Sequence, residues 1–267
     1  MFLFPNAKIN IGLNIISKTN SGYHQIQSCF CPISLYDLIE INHSKNTLIT
    51  LSGIKLDVRT NDNIIIKAIK KIDPNQNYKI HLHKNIPIGS GLGGGSSDAA
   101  FILKYINKIN KNTLSKKNLL NSAKSIGSDC PFFIHNKIKY VTGIGEKMSD
   151  IDINIKDKTI VLINPKTQIS TKEAYKNITP IKPKYNLKEI LENESINNWS
   201  KFIRNSFEDY ALNKIESLKE IKTYLINLGA KYVSLTGSGS CIYGIFNEKN
   251  ISKNDLEYDC YVTKIIS

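Results

Sequence analysis

The chain has 267 residues and a formal net charge of +13, with 41% hydrophobic and 22% charged residues. These proportions are typical of a globular protein with one large domain or two smaller ones, and the sequence contains no low-complexity tail or internal repeat. Because no apolar run is long enough to cross a bilayer, the sequence excludes a membrane-spanning helix.

The charge and the cysteines narrow the class of protein further. The lysines are spread along the whole chain without Arg clusters or an aromatic-basic stripe, so we expect neither a nucleic-acid partner nor a membrane partner. The apolar start Met1–Phe4 stops at Pro5 and is too short for a signal peptide. We expect a cytoplasmic protein whose thiols are reduced, because no Cys-x-x-Cys pair or metal-ligand spacing joins Cys29, Cys31, Cys130, Cys241 and Cys260.

The first element is a strand over residues 7–15 with strict alternation of side chains. One face is apolar, with Ala7, Ile9, Ile11, Leu13 and Ile15. The other face carries Lys8, Asn10, Gly12 and Asn14. On this pattern alone we favour a solvent-facing polar surface, but an ammonium and an amide beside a glycine could also form a site.

The pattern predicts further elements before the glycine-rich segment. Residues 21–24, Ser-Gly-Tyr-His, form a turn, strands follow at 30–35, 37–41 and 47–51, and a helix spans 63–72. Residues 79–84 then alternate polar and apolar side chains, as a half-exposed strand does.

The segment Pro87–Ala100, with the sequence P-I-G-S-G-L-G-G-G-S-S-D-A-A, holds five glycines between Gly89 and Gly95. Such a cluster weakens a fold unless a ligand must lie directly against the backbone. Ser96, Ser97 and Asp98 are strong N-cap and first-turn residues, and a helical pattern follows them. A glycine loop that enters a helix N-terminus predicts an anion site, most often a phosphate site.

Two known phosphate-binding motifs, the Walker motif and the dinucleotide fingerprint, fit this segment poorly. The Walker pattern fails because no lysine follows the glycines. Gly89-x-Gly91-x-x-Gly94 matches the dinucleotide fingerprint, but neither a preceding buried parallel strand nor a following acid supports it. A flexible surface loop is the remaining alternative, which the clear helix start disfavours.

A second candidate site follows a helix over 115–126 that Gly127 caps. Asp129 lies in the sequence S-D-C-P-F-F, where apolar neighbours could desolvate its carboxylate. An N-cap for a short following helix is an equally good interpretation of Asp129. Residues 140–146 then form a strand and a turn.

The second half mixes strands and helices without a strict β-α-β rhythm, which predicts an α+β fold. We expect a strand at 158–165, a short helix at 170–177 that carries Tyr175, and a Lys/Pro-rich connector at 179–184. Helices should follow at 198–212 and 215–228. The last elements are a hairpin at 232–246, with its turn at 237–239, and a strand at 258–266.

Three blocks occur in the order and spacing found in the GHMP kinases: P-N-A-K-I-N at residues 5–10, the glycine segment, and L-T-G-S-G at 235–239. The blocks A-K-I-N-I-G-L, G-Y-H and G-S-D-C-P-F-F further resemble the branch of this superfamily that phosphorylates a cytidine diphosphate ester of methylerythritol. The resemblance implies an N-terminal domain (1–150) with a rare left-handed β-α-β crossover. It also implies a ferredoxin-like α+β C-terminal domain (151–267), with the active site between the two.

The resemblance also assigns roles to single residues. Asp129 would be the general base and Lys8 would lie beside it, keeping it ionised and stabilising charge on the transferring phosphoryl group. Asn10, Tyr23, His24 and Tyr175 would bind the substrate, His24 through the cytosine edge and Tyr175 on one face of the base. The backbone that binds ATP would be that of Pro87, Ile88, Gly89, Ser90, Gly91, Leu92, Gly93, Gly94, Gly95, Ser96 and Ser97.

Mg²⁺ is expected with ATP, since hard oxygen ligands suit it, but the sequence names no protein ligand for it. Ser97 and Asp98 are near enough in sequence to be considered. The alternatives are another GHMP kinase that acts on homoserine or mevalonate and, from a different class, a basic RNA-binding protein.

Overall fold

The computed structural model describes residues 1–56, 62–247, 251 and 258–266. The chain forms two compact units, and each unit is assembled from separate segments. Unit 1 contains Met1–Ala7, Leu35–Ile88 and Gly93–Asn136; unit 2 contains Lys8–Ser34, Gly89–Leu92 and Lys137–Ser267. Domains with a boundary at residue 150 stay a prediction.

Strands and helices both occur throughout the described residues, which confirms the α+β class. The strands are β1 (Phe2–Leu3), β2 (Asn6–Lys18), β3 (His24–Tyr36), β4 (Leu38–His43), β5 (Leu48–Gly53), β6 (Tyr78–Lys84), β7 (Lys139–Thr142), β8 (Lys147–Ser149), β9 (Thr159–Ile163), β10 (Tyr232–Leu235), β11 (Ile242–Phe246) and β12 (Cys260–Lys264). The helices are α1 (Ile64–Ile72), α2 (Gly94–Ile109), α3 (Lys116–Ile126), α4 (Cys130–His135), α5 (Thr171–Lys176), α6 (Leu187–Asn193), α7 (Trp199–Phe202), α8 (Glu208–Lys214) and α9 (Ser217–Asn227).

Unit 1 packs helices against a sheet of strand order β1-β4-β6-β5. Strands β5 and β6 are parallel, and α1 lies between them in the chain, so this is the β-α-β crossover of the unit. Helices α1, α3 and α4 pack around α2. The apolar face of α2 is buried at Ala99, Ile102, Leu103 and Ile106. Asn63 and Ser115 cap α1 and α3 with their side chains, which confirms both predicted starts.

Unit 2 carries most of a sheet of order β2-β3-β7-β8 and all of a second sheet of order β10-β11-β9-β12. Every pairing in the second sheet is antiparallel, and β9 lies between β11 and β12. In chain order these four strands take the arrangement of a ferredoxin-like sheet. Within the described ranges, no helix has both the length and the apolar character that crossing a bilayer demands.

The structure corrects two interpretations near the glycine segment. The polar face of β2 does not face solvent at Lys8 and Asn10, whose exposed fractions are 3% and 2%. Helix α2 begins at Gly94, before Ser96, Ser97 and Asp98, and its N-cap is Gly93 without a side-chain cap. Serine and aspartate therefore occupy the first turns of the helix, and backbone alone forms its end.

The predicted helix over 198–212 is wrong, because the chain breaks between α7 and α8, and α6 was not predicted at all. At the break, Asn205 pairs with Leu13 of β2 in a parallel bridge. Its buried amide donates to the carbonyl oxygens of Leu235 at 2.8 Å and Gly237 at 2.9 Å, and its Oδ1 accepts from the Phe207 N–H at 2.9 Å. Long-range pairing thus outweighs helical propensity here.

The change Asn205→Ala should lower the free energy of unfolding by roughly 2 kcal/mol or more, since each buried group left unpaired costs about 1–3 kcal/mol. Urea titration measures the effect. The exposed Asn197 provides the control, and Asn197→Ala should stay within about 0.5 kcal/mol of the parent. Equal stability of the two variants would show that the Asn205 amide does not hold this break.

Candidate active site

The N-terminus of α2 is built from backbone alone. Gly93 has a φ of +73°, in the left-handed region that glycine adopts without strain. The first intrahelical bond runs from the Ser97 N–H to the Gly93 carbonyl at 2.9 Å. The N–H groups of Gly94, Gly95 and Ser96 therefore have no carbonyl partner within the helix, which is the arrangement that binds anions.

The first part of the glycine segment, Gly89–Leu92, belongs to unit 2 and is held there by the hairpin turn between β10 and β11. The Cys241 N–H donates to the Ser90 carbonyl at 3.3 Å, and the Thr236 hydroxyl donates to the Gly91 carbonyl at 3.4 Å. Gly91 has a φ of +81°, and a Cβ there would overlap the Thr236 carbonyl oxygen. The L-T-G-S-G block therefore fixes the loop by direct backbone contact.

Lys8 is a buried ammonium with a fixed position on β2. Its Nζ donates to Asn10 Oδ1 at 2.6 Å and lies 4.8 Å from the centre of the Phe30 ring. The Asn10 amide nitrogen donates in turn to Ser28 Oγ at 3.1 Å. At the backbone, the Lys8 N–H donates to the Leu92 carbonyl at 3.0 Å, which joins this strand to the glycine segment.

Asn10 is thus placed to orient Lys8. Its backbone N–H donates to Thr236 Oγ1 at 3.2 Å, and its carbonyl accepts from the Tyr243 hydroxyl at 2.7 Å. Thr236 and Tyr243 were not singled out from the sequence as site residues. Thr236 lies inside a motif that was recognised, but nothing in the sequence places the Tyr243 hydroxyl beside β2.

Asp129 lies in unit 1, at the N-cap position of α4, and is half-buried. Its side chain makes no capping hydrogen bond, and Ser128 Oγ lies 3.5 Å from Asp129 Oδ1. Asp129 is therefore the N-cap residue of α4 by position, but its side chain does not cap the helix. Lys8 belongs to unit 2, and the pairing of Lys8 with Asp129 stays a prediction.

The residues predicted for base recognition lie in unit 2. The rings of His24 and Tyr175 are in contact, with centroids 4.9 Å apart and planes tilted by 34°. Phe207 meets Tyr175 edge-on at 4.9 Å, a contact that the sequence did not reveal because residue 207 was assigned to a helix. Tyr23 is 62% exposed. Burial, with a smaller contribution from Lys18, lowers the pKa of His24, so its imidazole is neutral at pH 7.

The donor set for a metal ion is limited in the described ranges, where no group of three His, Cys, Asp or Glu side chains could hold one. Asp98, which is near the loop in sequence, is buried and forms an ion pair with Lys84 at 2.9 Å. One oxygen of this carboxyl group, Oδ2, is thus taken by a protein cation, and no protein ligand for Mg²⁺ is assigned. Protein carboxylates commonly share Mg²⁺ with nucleotide phosphates, and ATP itself would then supply most of the ligands.

Family models match both parts of the chain. Residues 63–137 match the N-terminal domain of the GHMP kinases, and residues 186–257 match their C-terminal domain. The first range holds the glycine segment from Pro87 and also Asp129. The second holds Asn205, Phe207 and the turn that fixes Gly91.

Relatives that match the chain over nearly its full length identify the family more specifically than the two domain models do. A 4-diphosphocytidyl-2-C-methyl-D-erythritol kinase of Azobacteroides pseudotrichonymphae genomovar. CFP2 is 41% identical over 252 residues, covering 93% of this chain and 94% of the relative. The protein of the same name from Parabacteroides distasonis is 39% identical over 266 residues and covers 98% of each chain.

Solved structures share the fold. A crystal structure of 4-(cytidine 5'-diphospho)-2C-methyl-D-erythritol kinase superposes with a TM-score of 0.82 at 24% identity, over 99% of both chains. The Methanococcus jannaschii mevalonate kinase gives a TM-score of 0.70 at 16% identity, over 100% of this chain and 98% of that one. With the identities of the curated relatives, these matches show that the chain belongs to the 4-diphosphocytidyl-2-C-methyl-D-erythritol kinase family of the GHMP kinases.

Proposed function

We propose that the chain transfers the γ-phosphoryl group of ATP to the 2-hydroxyl of 4-(cytidine 5'-diphospho)-2-C-methyl-D-erythritol, in the non-mevalonate pathway to isoprenoid precursors. One observation carries the proposal: a buried ammonium, Lys8, lies on a strand that is hydrogen-bonded to a glycine loop of the phosphate-binding type. The full-length relatives supply the substrate class, because they bear the name of this kinase.

The glycine loop binds the phosphates of ATP through its backbone. Donors held in a fixed array lose little freedom when the anion binds, and each charge-assisted bond contributes about 1.5–3 kcal/mol. Several such bonds offset the absence of a Walker lysine. Mg²⁺, when bound with ATP, would neutralise charge on the phosphates.

Asp129 takes the proton of the attacking hydroxyl, and Lys8 stabilises the negative charge that develops on the transferring group. Lys8 suits this role because Asn10 and the Phe30 ring hold its ammonium in place. Asp129 suits its role because its carboxylate does not cap α4. Asn10 acts on the substrate chiefly by orienting Lys8, since its amide already serves Lys8 and Ser28.

The cytosine is recognised by Tyr23, His24 and Tyr175. Because His24 is neutral, its imidazole can both donate to and accept from a pyrimidine edge. The 4.9 Å contact leaves no room for a base between the His24 and Tyr175 rings. A cytosine that stacks on Tyr175 therefore needs either the outer face of that ring or a rotation of His24.

Phosphoryl transfer is tested by incubating the protein with ATP, Mg²⁺ and the cytidine diphosphate ester. The expected product carries a new phosphate monoester at the 2-position, which ³¹P NMR identifies. Homoserine and mevalonate serve as competing acceptors, and turnover of either in preference to the cytidine compound would contradict the proposal. An RNA oligonucleotide tests the alternative of an RNA-binding protein. A ligand at 100 times its Kd stabilises the protein by about 2.7 kcal/mol, so thermal melting with the oligonucleotide would reveal RNA binding.

Removing either member of the predicted catalytic pair should reduce kcat and leave folding intact. Asp129→Asn and Lys8→Met should each lower kcat by roughly 10²- to 10⁴-fold, the usual contribution of an acid–base group. Steady-state kinetics and thermal melting are measured together.

The controls for this pair are Asp209→Asn and Lys219→Met, which make the same chemical changes at exposed positions. Both should keep the parent kcat. If Asp129→Asn retained full turnover but melted several degrees lower, its position as the first residue before α4 would matter only for stability.

Tyr175→Ala should raise KM for the cytidine substrate by roughly 5- to 150-fold and leave KM for ATP nearly unchanged, because stacking of a base on an aromatic ring contributes about 1–3 kcal/mol. Tyr185→Ala is the matched control: Tyr185 also meets a phenylalanine edge-on, at 5.1 Å from Phe202. A fall in melting temperature with both KM values unchanged would make Tyr175 a packing residue only.

A further inference from the structure

A buried charge cluster in unit 1 joins the sheet to the helix that carries the phosphate loop. Lys84, the last residue of β6, donates from its Nζ to Asp37 Oδ2 and, at 2.9 Å, to Asp98 Oδ2 of α2. The exposed fractions are 4% for Lys84 and 2% for Asp98. The cluster belongs to none of the roles assigned above.

Asp37 is held firmly on the sheet side of the cluster. Its Oδ1 accepts from the N–H groups of Asn85 at 2.7 Å and Ile86 at 2.8 Å. Asp98 differs, because its Oδ1 is buried and has no hydrogen-bond partner. Within this cluster, α2 is therefore linked to the sheet by the bond between Lys84 and Asp98, together with a side-chain interaction between Asp98 and Asp37.

Lys84 also contacts the first residue of α2. A Cβ on Gly94 would lie 2.9 Å from the Lys84 Nζ and 2.9 Å from a methyl carbon of Ile86. The ammonium thus occupies the space beside the helix end, and only glycine allows the backbone this close. The bond to Asp98 and the contact at Gly94 fix the first turns of α2 from two points.

The charges of the cluster are nearly balanced. One lysine and two aspartates balance in charge when one carboxyl group holds a proton, and burial favours a proton on Asp98 by raising its pKa to about 8, although Lys84 opposes the shift. The carboxylates of Asp98 and Asp37 outweigh the effect of burial on Lys84 and raise its pKa. A compensated cluster avoids placing an uncompensated negative charge where an anion should bind.

We propose that Lys84 and Asp98 are positioning residues for ATP. Their buried bond fixes the position and orientation of the first turn of α2, and therefore the direction in which its free N–H groups point toward the phosphates. The inference rests on the proposed function only in taking ATP as the ligand of this loop. Misplacement of such donors by a fraction of an ångström weakens binding, because hydrogen bonds depend steeply on distance and angle.

The test measures ATP affinity directly, by calorimetry with ATP and Mg²⁺ and without the second substrate. Asp98→Ala removes the acceptor of Lys84 and should weaken ATP binding roughly tenfold or more. Asp98→Asn keeps an acceptor oxygen and should bind ATP within about threefold of the parent. KM for the cytidine substrate should not change in either variant.

Ile80→Ala is the control for a loss of stability alone, since Ile80 is a buried apolar residue on the same strand as Lys84. It should melt lower and keep the parent affinity for ATP. If Asp98→Ala also melted lower with unchanged ATP affinity, the cluster would be structural only and the proposal would be overturned. Equal weakening by Asp98→Ala and Asp98→Asn would overturn it as well.

Lys84→Gln provides a second variant in case Asp98→Ala does not fold. The shorter amide cannot hold both carboxylates, so ATP binding should weaken here too, and an unchanged affinity would contradict the proposal. A parent protein that binds ATP but does not phosphorylate the cytidine diphosphate ester would refute the proposed function alone.

Discussion

The structure depends on one constraint: a glycine-rich backbone must be held still while its N–H groups stay available for an anion. Glycine loses more conformational entropy on ordering than any other residue, so the sequence of the loop opposes its own order. The rest of the site offsets this cost by contacts from outside the loop. Thr236 and Cys241 hold residues 90 and 91, and Lys8 holds Leu92 through its backbone.

The need to keep these N–H groups available also explains why the side chains near the loop are buried and do not cap the helix. Ser97 and Asp98 are buried in the first turns of α2, and neither caps the helix. A side-chain cap would satisfy the N–H groups that an anion needs, so the helix instead begins at Gly93 with backbone alone. Asn10 likewise holds a functional group from outside the loop, because its side-chain amide bonds to Lys8 and Ser28 and so fixes the Lys8 ammonium.

Local patterns predicted the elements well where local forces decide them. Asn63, Ser115 and Ser170 begin helices as capping rules require, and α+β was evident from the mixture of strands and helices. The family resemblance supplied the fold, and it assigned roles to residues that no pattern could assign; those roles stay predictions. The break at Asn205 could not be predicted, because the groups that its amide satisfies lie about 30 residues away in the chain. Phe207 was missed for the same reason.

Two lysines show how well the alternation of polar and apolar residues along a strand predicts which side chains are buried. Lys8 falls on the polar face of its strand and is nevertheless buried, with its ammonium bonded to Asn10 and close to the Phe30 ring. Lys84 falls in phase with the buried Ile80 and Leu82 and is itself buried, although it was not singled out from the sequence. A charged residue in an apolar phase requires a partner of opposite charge, since an unpaired buried ion is far too costly. In the structure the partners are Asp37, between β3 and β4, and Asp98, within the segment Pro87–Ala100. Only Asp98 is close to the glycine loop in sequence, so the rule predicts that partners exist but not which acids they are.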